Sequence, residues 1–276
     1  MICVQNVFFR YSGGSDDILH DINLTIRPGE FIAIMGPNGS GKSTVVKLLN
    51  GLLQPESGKI EIDGYNTANI KERLAIRQRV GLMVSNPDDA IVGSTVAEDL
   101  AFGPENLGLK PQQIKMRVDT ALKMVSMEDK RGYPPHLLSG GQKQLLSLAA
   151  IMALEPDYFI LDEPFAMLDE QSKKKLLQVL KQLQQQGRAI VLVTHSMEEA
   201  IWADRILLLA DGRILADQAL RRMVGQPELL RLAGVQPLEV SRIIEILEHP
   251  GLPSIDPELI DAEELVTHLC RYRFHV

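Results

Sequence analysis

The stretch Gly36-Pro37-Asn38-Gly39-Ser40-Gly41-Lys42-Ser43-Thr44 restricts this chain more than any other. It follows the pattern G-x-x-x-x-G-K-[ST], whose glycines let the backbone curl so that successive N–H groups converge on an anion. Lys42 supplies a positive charge for the β- and γ-phosphates of a nucleotide, and the Ser43 hydroxyl suits Mg²⁺. Such a loop carries meaning only between a strand and a helix, and the sequence predicts both. Phe31-Ile32-Ala33-Ile34-Met35 is an unbroken apolar run, as expected of a strand buried on both faces of a parallel sheet. Residues 42–53 read as a helix whose N-terminal partial charge is directed at the same anion.

Two more runs, Tyr158-Phe159-Ile160-Leu161 and Ile190-Val191-Leu192-Val193, have the same buried-strand character. Between them Leu176, Leu180 and Leu183 share a helical face, and Gly187 stands where that helix should end. Strands alternating with helices predict a mostly parallel α/β sheet. Residues 1–30 read instead as short strands broken by turns at Tyr11-Ser12-Gly13-Gly14-Ser15 and Arg27-Pro28-Gly29. From about residue 87 to 154 the pattern is helical, as expected of an insertion in the α/β core. The alternation stops at Gly225, which predicts one domain over 1–225 and a small helical appendage over 226–276. In the appendage Val240, Ile243, Ile244 and Leu247 make one helical face before His249-Pro250. Asp261 and Glu264 have the spacing of a reciprocal helix cap feeding Leu265, Val266 and Leu269.

The acids of Leu161-Asp162-Glu163-Pro164 close the second apolar strand, at the sheet edge where ligands bind in such folds. Asp162 suits a Mg²⁺ shell, and Glu163 suits polarisation of an attacking water. Thr194-His195 ends the third strand at the same edge, where a histidine can hydrogen-bond a terminal phosphate. Composition narrows the partners. A net charge of −7 with no long basic run disfavours nucleic acid. Cys3 and Cys270 form no Cys-x-x-Cys pair, so a zinc site is not expected, and lone thiols suit a reducing cytoplasm. The opening Met1-Ile2-Cys3-Val4-Gln5-Asn6 alternates like a strand and lacks the features of a signal peptide. Apolar runs such as Ile206 to Ala210 are too short to span a bilayer, so work at a membrane would need another chain to supply the membrane part.

Leu138-Ser139-Gly140-Gly141-Gln142 precedes an apolar helical stretch from Leu145 to Leu154; Ser139 can cap that helix, and the glycines leave its N–H groups open to an anion. In this company the segment resembles the signature of ABC-type ATPases, and the resemblance covers about residues 1–225. It implies a phosphate-loop NTPase core with an N-terminal antiparallel β subdomain, binding ATP and Mg²⁺. It also implies two subunits that sandwich two ATP molecules head to tail. On that basis Ser139, Gly140, Gly141 and Gln142 would serve the partner's nucleotide, Tyr11 would stack on adenine, and Leu168-Asp169 would lie in the loop crossing the dimer interface. Glu163 and His195 would be catalytic, with Ser43 and Asp162 on the metal.

Asn86-Pro87-Asp88-Asp89, Ile91-Val92-Gly93-Ser94-Thr95-Val96, Asp99 and Ala101-Phe102-Gly103-Pro104-Glu105-Asn106 resemble the energy-coupling factor branch more narrowly. Its members import vitamins or cobalt and nickel ions using two often non-identical ATPases. The resemblance implies an integral membrane coupling protein, a substrate-binding membrane protein and a peripheral location on the cytoplasmic face of the cell membrane. Four positions depart from the family: Ser85 replaces a glutamine that reaches Mg²⁺ and the attacking water, Leu145 an arginine after the signature, Phe165 a small polar residue, and Ala90 a common glutamine. Two other functions compete. A soluble ABC-type ATPase acting on nucleic acid or ribosomes would usually show two cassettes, a coiled-coil insertion or zinc cysteines. A nucleotide-gated subunit with little hydrolysis is motivated by Ser85 and Leu145.

Overall fold

The computed structural model describes residues 1–13, 17–247 and 255–273. From the N-terminus, β1 (Ile2–Phe9) and β2 (Leu19–Ile26) precede β3 (Phe31–Met35) and α1 (Lys42–Leu49). Next come β4 (Ser57–Ile62), β5 (Tyr65–Asn66), α2 (Arg73–Arg79) and β6 (Val80–Met83). A strand-free stretch holds α3 (Val96–Asn106), α4 (Pro111–Met124) and α5 (Gly140–Leu154). The chain then forms β7 (Tyr158–Asp162), α6 (Glu170–Gln185), β8 (Ala189–Val193), α7 (Met197–Ala200), β9 (Arg205–Ala210) and β10 (Arg213–Ala219). It closes with α8 (Leu220–Val224), α9 (Pro227–Leu232), α10 (Glu239–Leu247) and α11 (Ala262–Arg273).

One sheet has the order β10-β9-β3-β8-β7-β6, parallel except for β10. The other, β2-β1-β4-β5, is antiparallel throughout. This is the α/β architecture expected from the sequence. The apolar runs are unbroken because each parallel strand serves two cores, with successive side chains on opposite faces. Phe31, Ala33 and Met35 pack with the helical stretch, while Ile32 and Ile34 pack toward the antiparallel sheet and α1. Phe159 and Leu161 divide from Tyr158 and Ile160 in the same way.

Helix boundaries follow local chemistry. Thr95 caps α3 in a reciprocal box with Glu98, and Pro111 starts α4, where its missing N–H is not needed. Helix α1 ends at Leu49, earlier than the expected 53, because Gly51 turns the chain at φ 71°.

The appendage joins the main core: Leu230, Val235, Leu238, Val240, Ile244, Ile255, Leu259 and Leu265 share one buried cluster with Phe31 and Leu161. Its sequence pattern needs two corrections. Asp261 does accept the Glu264 N–H at 2.8 Å, but the Glu264 carboxylate reaches the Ile260 N–H at 3.0 Å and Arg221 at 2.6 Å rather than closing a reciprocal cap. Val266 and Leu269 are exposed, so only Leu265 of that trio enters the core. The predicted helix end at His249-Pro250 lies outside the described residues.

Candidate active site

The C-terminal ends of β3, β7 and β8 lie side by side, and each releases the chain into a segment carrying predicted site residues. After β3 the loop bends back at Gly36, whose φ is 151° and where a Cβ would lie 1.9 Å from the Leu209 carbonyl oxygen. Only glycine fits. Asn38 and Gly39 form the exposed outer turn, and the Ser40 N–H donates to the Pro37 carbonyl at 3.2 Å. Gly41, at φ 102°, is the N-cap of α1 and brings no capping side chain. The first-turn N–H groups of α1 are thus left for an anion. The Ser40 hydroxyl is buried with no hydrogen-bond partner among the described residues.

Lys42 is buried, and its Nζ donates to the carbonyls of Gly36 at 2.9 Å and Pro37 at 2.8 Å. Burial pushes its pKa down, and the nearby Glu163 and Asp162 oppose that shift. The turn after α9 rests on the same loop, since a Cβ at Gly234 would lie 3.3 Å from the Pro37 Cβ. Thr44 is buried, and its hydroxyl lies 3.2 Å from the Tyr11 hydroxyl. The Tyr11 ring stands edge-on to Phe9, with centroids 4.9 Å apart.

Asp162 ends β7 and is 4% exposed. Burial pushes its carboxyl above the usual carboxylate range, and the Ser43 hydroxyl bonds to it. The charge of Glu163 adds to the upward shift, and that of Lys42 opposes it. A carboxylate and a hydroxyl side by side are the hard oxygen donors that Mg²⁺ takes together with nucleotide phosphates. The donor set present here therefore fits that ion. Glu163 has φ 50°, uncommon for a side chain with a Cβ. Its N–H still donates to the Val193 carbonyl at 3.0 Å, and its carboxylate lies 3.6 Å from His195 Nδ1.

The family resemblance assigns the signature to a partner's nucleotide, and within this chain its residues are engaged in a helix cap and a loop contact. Ser139 caps α5, with its hydroxyl accepting from the Gln142 N–H at 3.3 Å and its own N–H donating to the Gln142 side chain at 3.0 Å. A Cβ at Gly141 would come within 3.0 Å of the Met167 carbonyl, and one at Gly140 within 3.0 Å of Met167 Sδ. These glycines therefore also let the 165–169 loop pack on the helix start. That contact had no signal in the sequence. Asp169, at the end of the loop, caps α6 by accepting the Ser172 N–H at 2.7 Å. Phe165 is fully buried, which suits an aromatic side chain at this position.

Beside the signature helix a groove of about 160 Å³ is lined by Ala90, Val92, Asp99, Phe102, Ala150 and Leu154. Val92 and Phe102 are exposed, whereas Ile91 is half-buried against the core. Asp99 accepts the N–H groups of Val92 at 2.8 Å and Gly93 at 2.9 Å, which fixes the groove's rim. Ser85 is exposed, and its carbonyl accepts from the buried Gln144 amide at 3.4 Å. Leu145 packs against the core and lines a separate cavity with Lys175 and Gln182.

The sequence pattern of the ABC transporter family matches residues 19–166. The chain belongs to this family. An energy-coupling factor transporter ATP-binding protein of Syntrophomonas wolfei is 40% identical, covering 99% of this chain and 100% of its own. The cobalt import ATP-binding protein of Syntrophus aciditrophicus is 35% identical over 100% of this chain and 98% of its own. The solved Clostridium perfringens cbiO1, part of an ABC transporter complex, superposes at a TM-score of 0.75 with 31% identity, covering 90% of this chain and 98% of that one. A dimeric ATP-binding cassette bound to ADP and Pi superposes at 0.74 with 31% identity, covering 79% of this chain and 98% of that one. As an ABC ATPase, the chain has its phosphate loop and the Asp162-Glu163 pair inside or at the edge of the matched segment, while His195 and the appendage lie beyond it.

Proposed function

We propose that this chain is one of two ATPase subunits that power an energy-coupling factor importer. The observation that carries the reading is the convergence of Lys42, Ser43, Asp162, Glu163 and His195 at the ends of three adjacent parallel strands, with Glu163 and His195 3.6 Å apart. ATP binds along the loop from Gly36 to Thr44, with Lys42 exchanging its bonds to the loop carbonyls for phosphate oxygens. Tyr11, hinged on Thr44, packs against the adenine. Ser43 and Asp162 would hold Mg²⁺, which would supply positive charge to offset that of the β- and γ-phosphates. Glu163 accepts the proton of the attacking water, and His195 steadies both that carboxylate and the terminal phosphate.

The capped N-terminus of α5, with Ser139, Gly140 and Gly141 exposed or half-buried at its tip, supplies the other wall of the partner subunit's site. The groove at Val92 and Phe102 receives a helix of an integral membrane coupling protein, which works with a substrate-binding membrane protein. Among the described residues no helix is long and apolar enough to cross a membrane. In this reading the chain sits peripherally on the cytoplasmic face through that partner. The solute, a vitamin or a transition-metal ion, is chosen by the membrane proteins and not by this chain.

Glu163→Gln tests the reading. It keeps the shape but removes the base, so ATP binding persists, a closed ATP-loaded dimer accumulates on gel filtration, and turnover falls by about a hundredfold or more. Phosphate release at the wild-type rate in this variant would overturn the assignment.

A further inference from the structure

His195 is 70% exposed on its side chain, and its ring contacts Glu163 through one nitrogen only. A side chain so little packed is placed by its backbone. That backbone is held by one buried hydroxyl: Thr194, which is 1% exposed, accepts the Ser196 N–H on its Oγ1 at 3.1 Å and so closes the turn around His195. The hydroxyl's single proton goes to Glu199 Oε2. The other carboxylate oxygen of Glu199 lies 3.8 Å from Lys173 Nζ, which is itself 3.4 Å from Glu170 in the first turn of α6. The Lys173 N–H donates to the Asp169 carbonyl at 2.9 Å, so this lysine belongs to the helix start capped by the 165–169 loop.

We propose that Glu199 is a positioning residue for His195. A hydroxyl has one proton and two lone pairs, so fixing where the proton goes fixes which side accepts from Ser196. A charged acceptor directs that proton more strongly than a neutral one. With Glu199 in place, the Thr194 oxygen presents a lone pair to the Ser196 N–H, and His195 is held within reach of Glu163. The Lys173 leg links the same carboxylate to the start of α6, which the 165–169 loop caps. No sequence spacing announced this: Glu199 lies on α7, within an otherwise ordinary Met197-Glu198-Glu199-Ala200 turn.

The inference rests on the roles proposed above for Glu163 and His195, and the test separates the two. Single-turnover hydrolysis and ATP affinity are measured on the full chain in its dimer for Glu199→Ala, Thr194→Val, Thr194→Ser, His195→Ala and the double variant Glu199→Ala/His195→Ala. A misplacement of about 1 Å costs roughly a hundredfold, so Glu199→Ala and Thr194→Val should slow hydrolysis by about tenfold to a hundredfold. ATP affinity should change less than about twofold, because the side-chain partners of Thr194 and Glu199 are each other, Ser196 and Lys173, none of them in the phosphate loop. Thr194→Ser keeps the hydroxyl and should retain most of the rate. In the His195→Ala background, Glu199→Ala should add little further loss. If His195→Ala does not slow hydrolysis, the catalytic reading itself fails. If it does, but Glu199→Ala leaves the rate intact, lowers affinity in parallel, or adds its full effect on top of His195→Ala, the positioning role is overturned.

Discussion

Asp162→Asn should make the empty protein more stable while disabling it. In the folded chain the carboxylate is 4% exposed, and burial is the main cause of its raised pKa, so its ionised form is less favourable here than in the unfolded chain. Asparagine removes the charge, keeps nearly the same volume and still accepts from Ser43. It also relieves the repulsion from Glu163. The opposing loss is attraction to Lys42, but Glu163 supports the Lys42 charge more than Asp162 does, so the lysine keeps its main counter-charge. Relief of strain at a functional site commonly yields about 0.5–2 kcal/mol. For a chain of this length that is a rise in Tm of about 2–4 °C per kcal/mol.

The sign with pH follows from the raised pKa. The penalty is absent below the ordinary carboxylate value, where Asp162 is protonated in both states, and grows as pH rises toward the folded value. The Tm advantage of the variant should therefore be larger at pH 8 than at pH 4. Calorimetry on the nucleotide-free protein in chelator measures it, and Mg²⁺-dependent ATP hydrolysis in the same preparations should be lost. A variant less stable than wild type at pH 8, or one with an advantage that grows on acidification, would refute the argument.

Two further outcomes test the remaining surfaces. Phe102→Asp, on a side chain that is 50% exposed, should reduce recovery of the membrane partner by about tenfold or more and leave ATP binding unchanged; equal recovery removes this groove from the interface. Ser85→Gln should speed single-turnover hydrolysis at this chain's own site by about tenfold or more, measured with the partner's catalytic glutamate disabled, because a longer amide can order the attacking water. An unchanged or slower rate means that the exposed Ser85, tied by its carbonyl to Gln144, is an adapted replacement.

Most of the candidate site was legible because its signals are local. Gly36 and Gly41 mark backbone conformations that only glycine adopts readily, and those conformations arise within a few residues of Lys42. The unbroken runs at 31–35, 158–161 and 190–193 predicted buried parallel strands, since a strand with cores on both faces has no polar side to show. Where the prediction slipped, the deciding contacts came from far along the chain. Glu264 had the spacing of a cap partner, but Arg221 stands close enough to claim its carboxylate.

What the amino-acid sequence determined by itself was the kind of ligand and the class of fold: a phosphate-binding loop between strand and helix, and acids at strand ends. What only the tertiary structure decided was which side chains hold that machinery in register. The Met167 carbonyl against Gly141, Gly234 against Pro37, and the Thr194–Glu199–Lys173 chain each join segments whose separation in sequence carries no periodic pattern. The physical reason is range. Backbone conformation and hydrophobic alternation are fixed by neighbours in the chain, whereas a buried hydroxyl or a close-packed glycine takes its meaning from whatever the completed fold brings within about 3–4 Å.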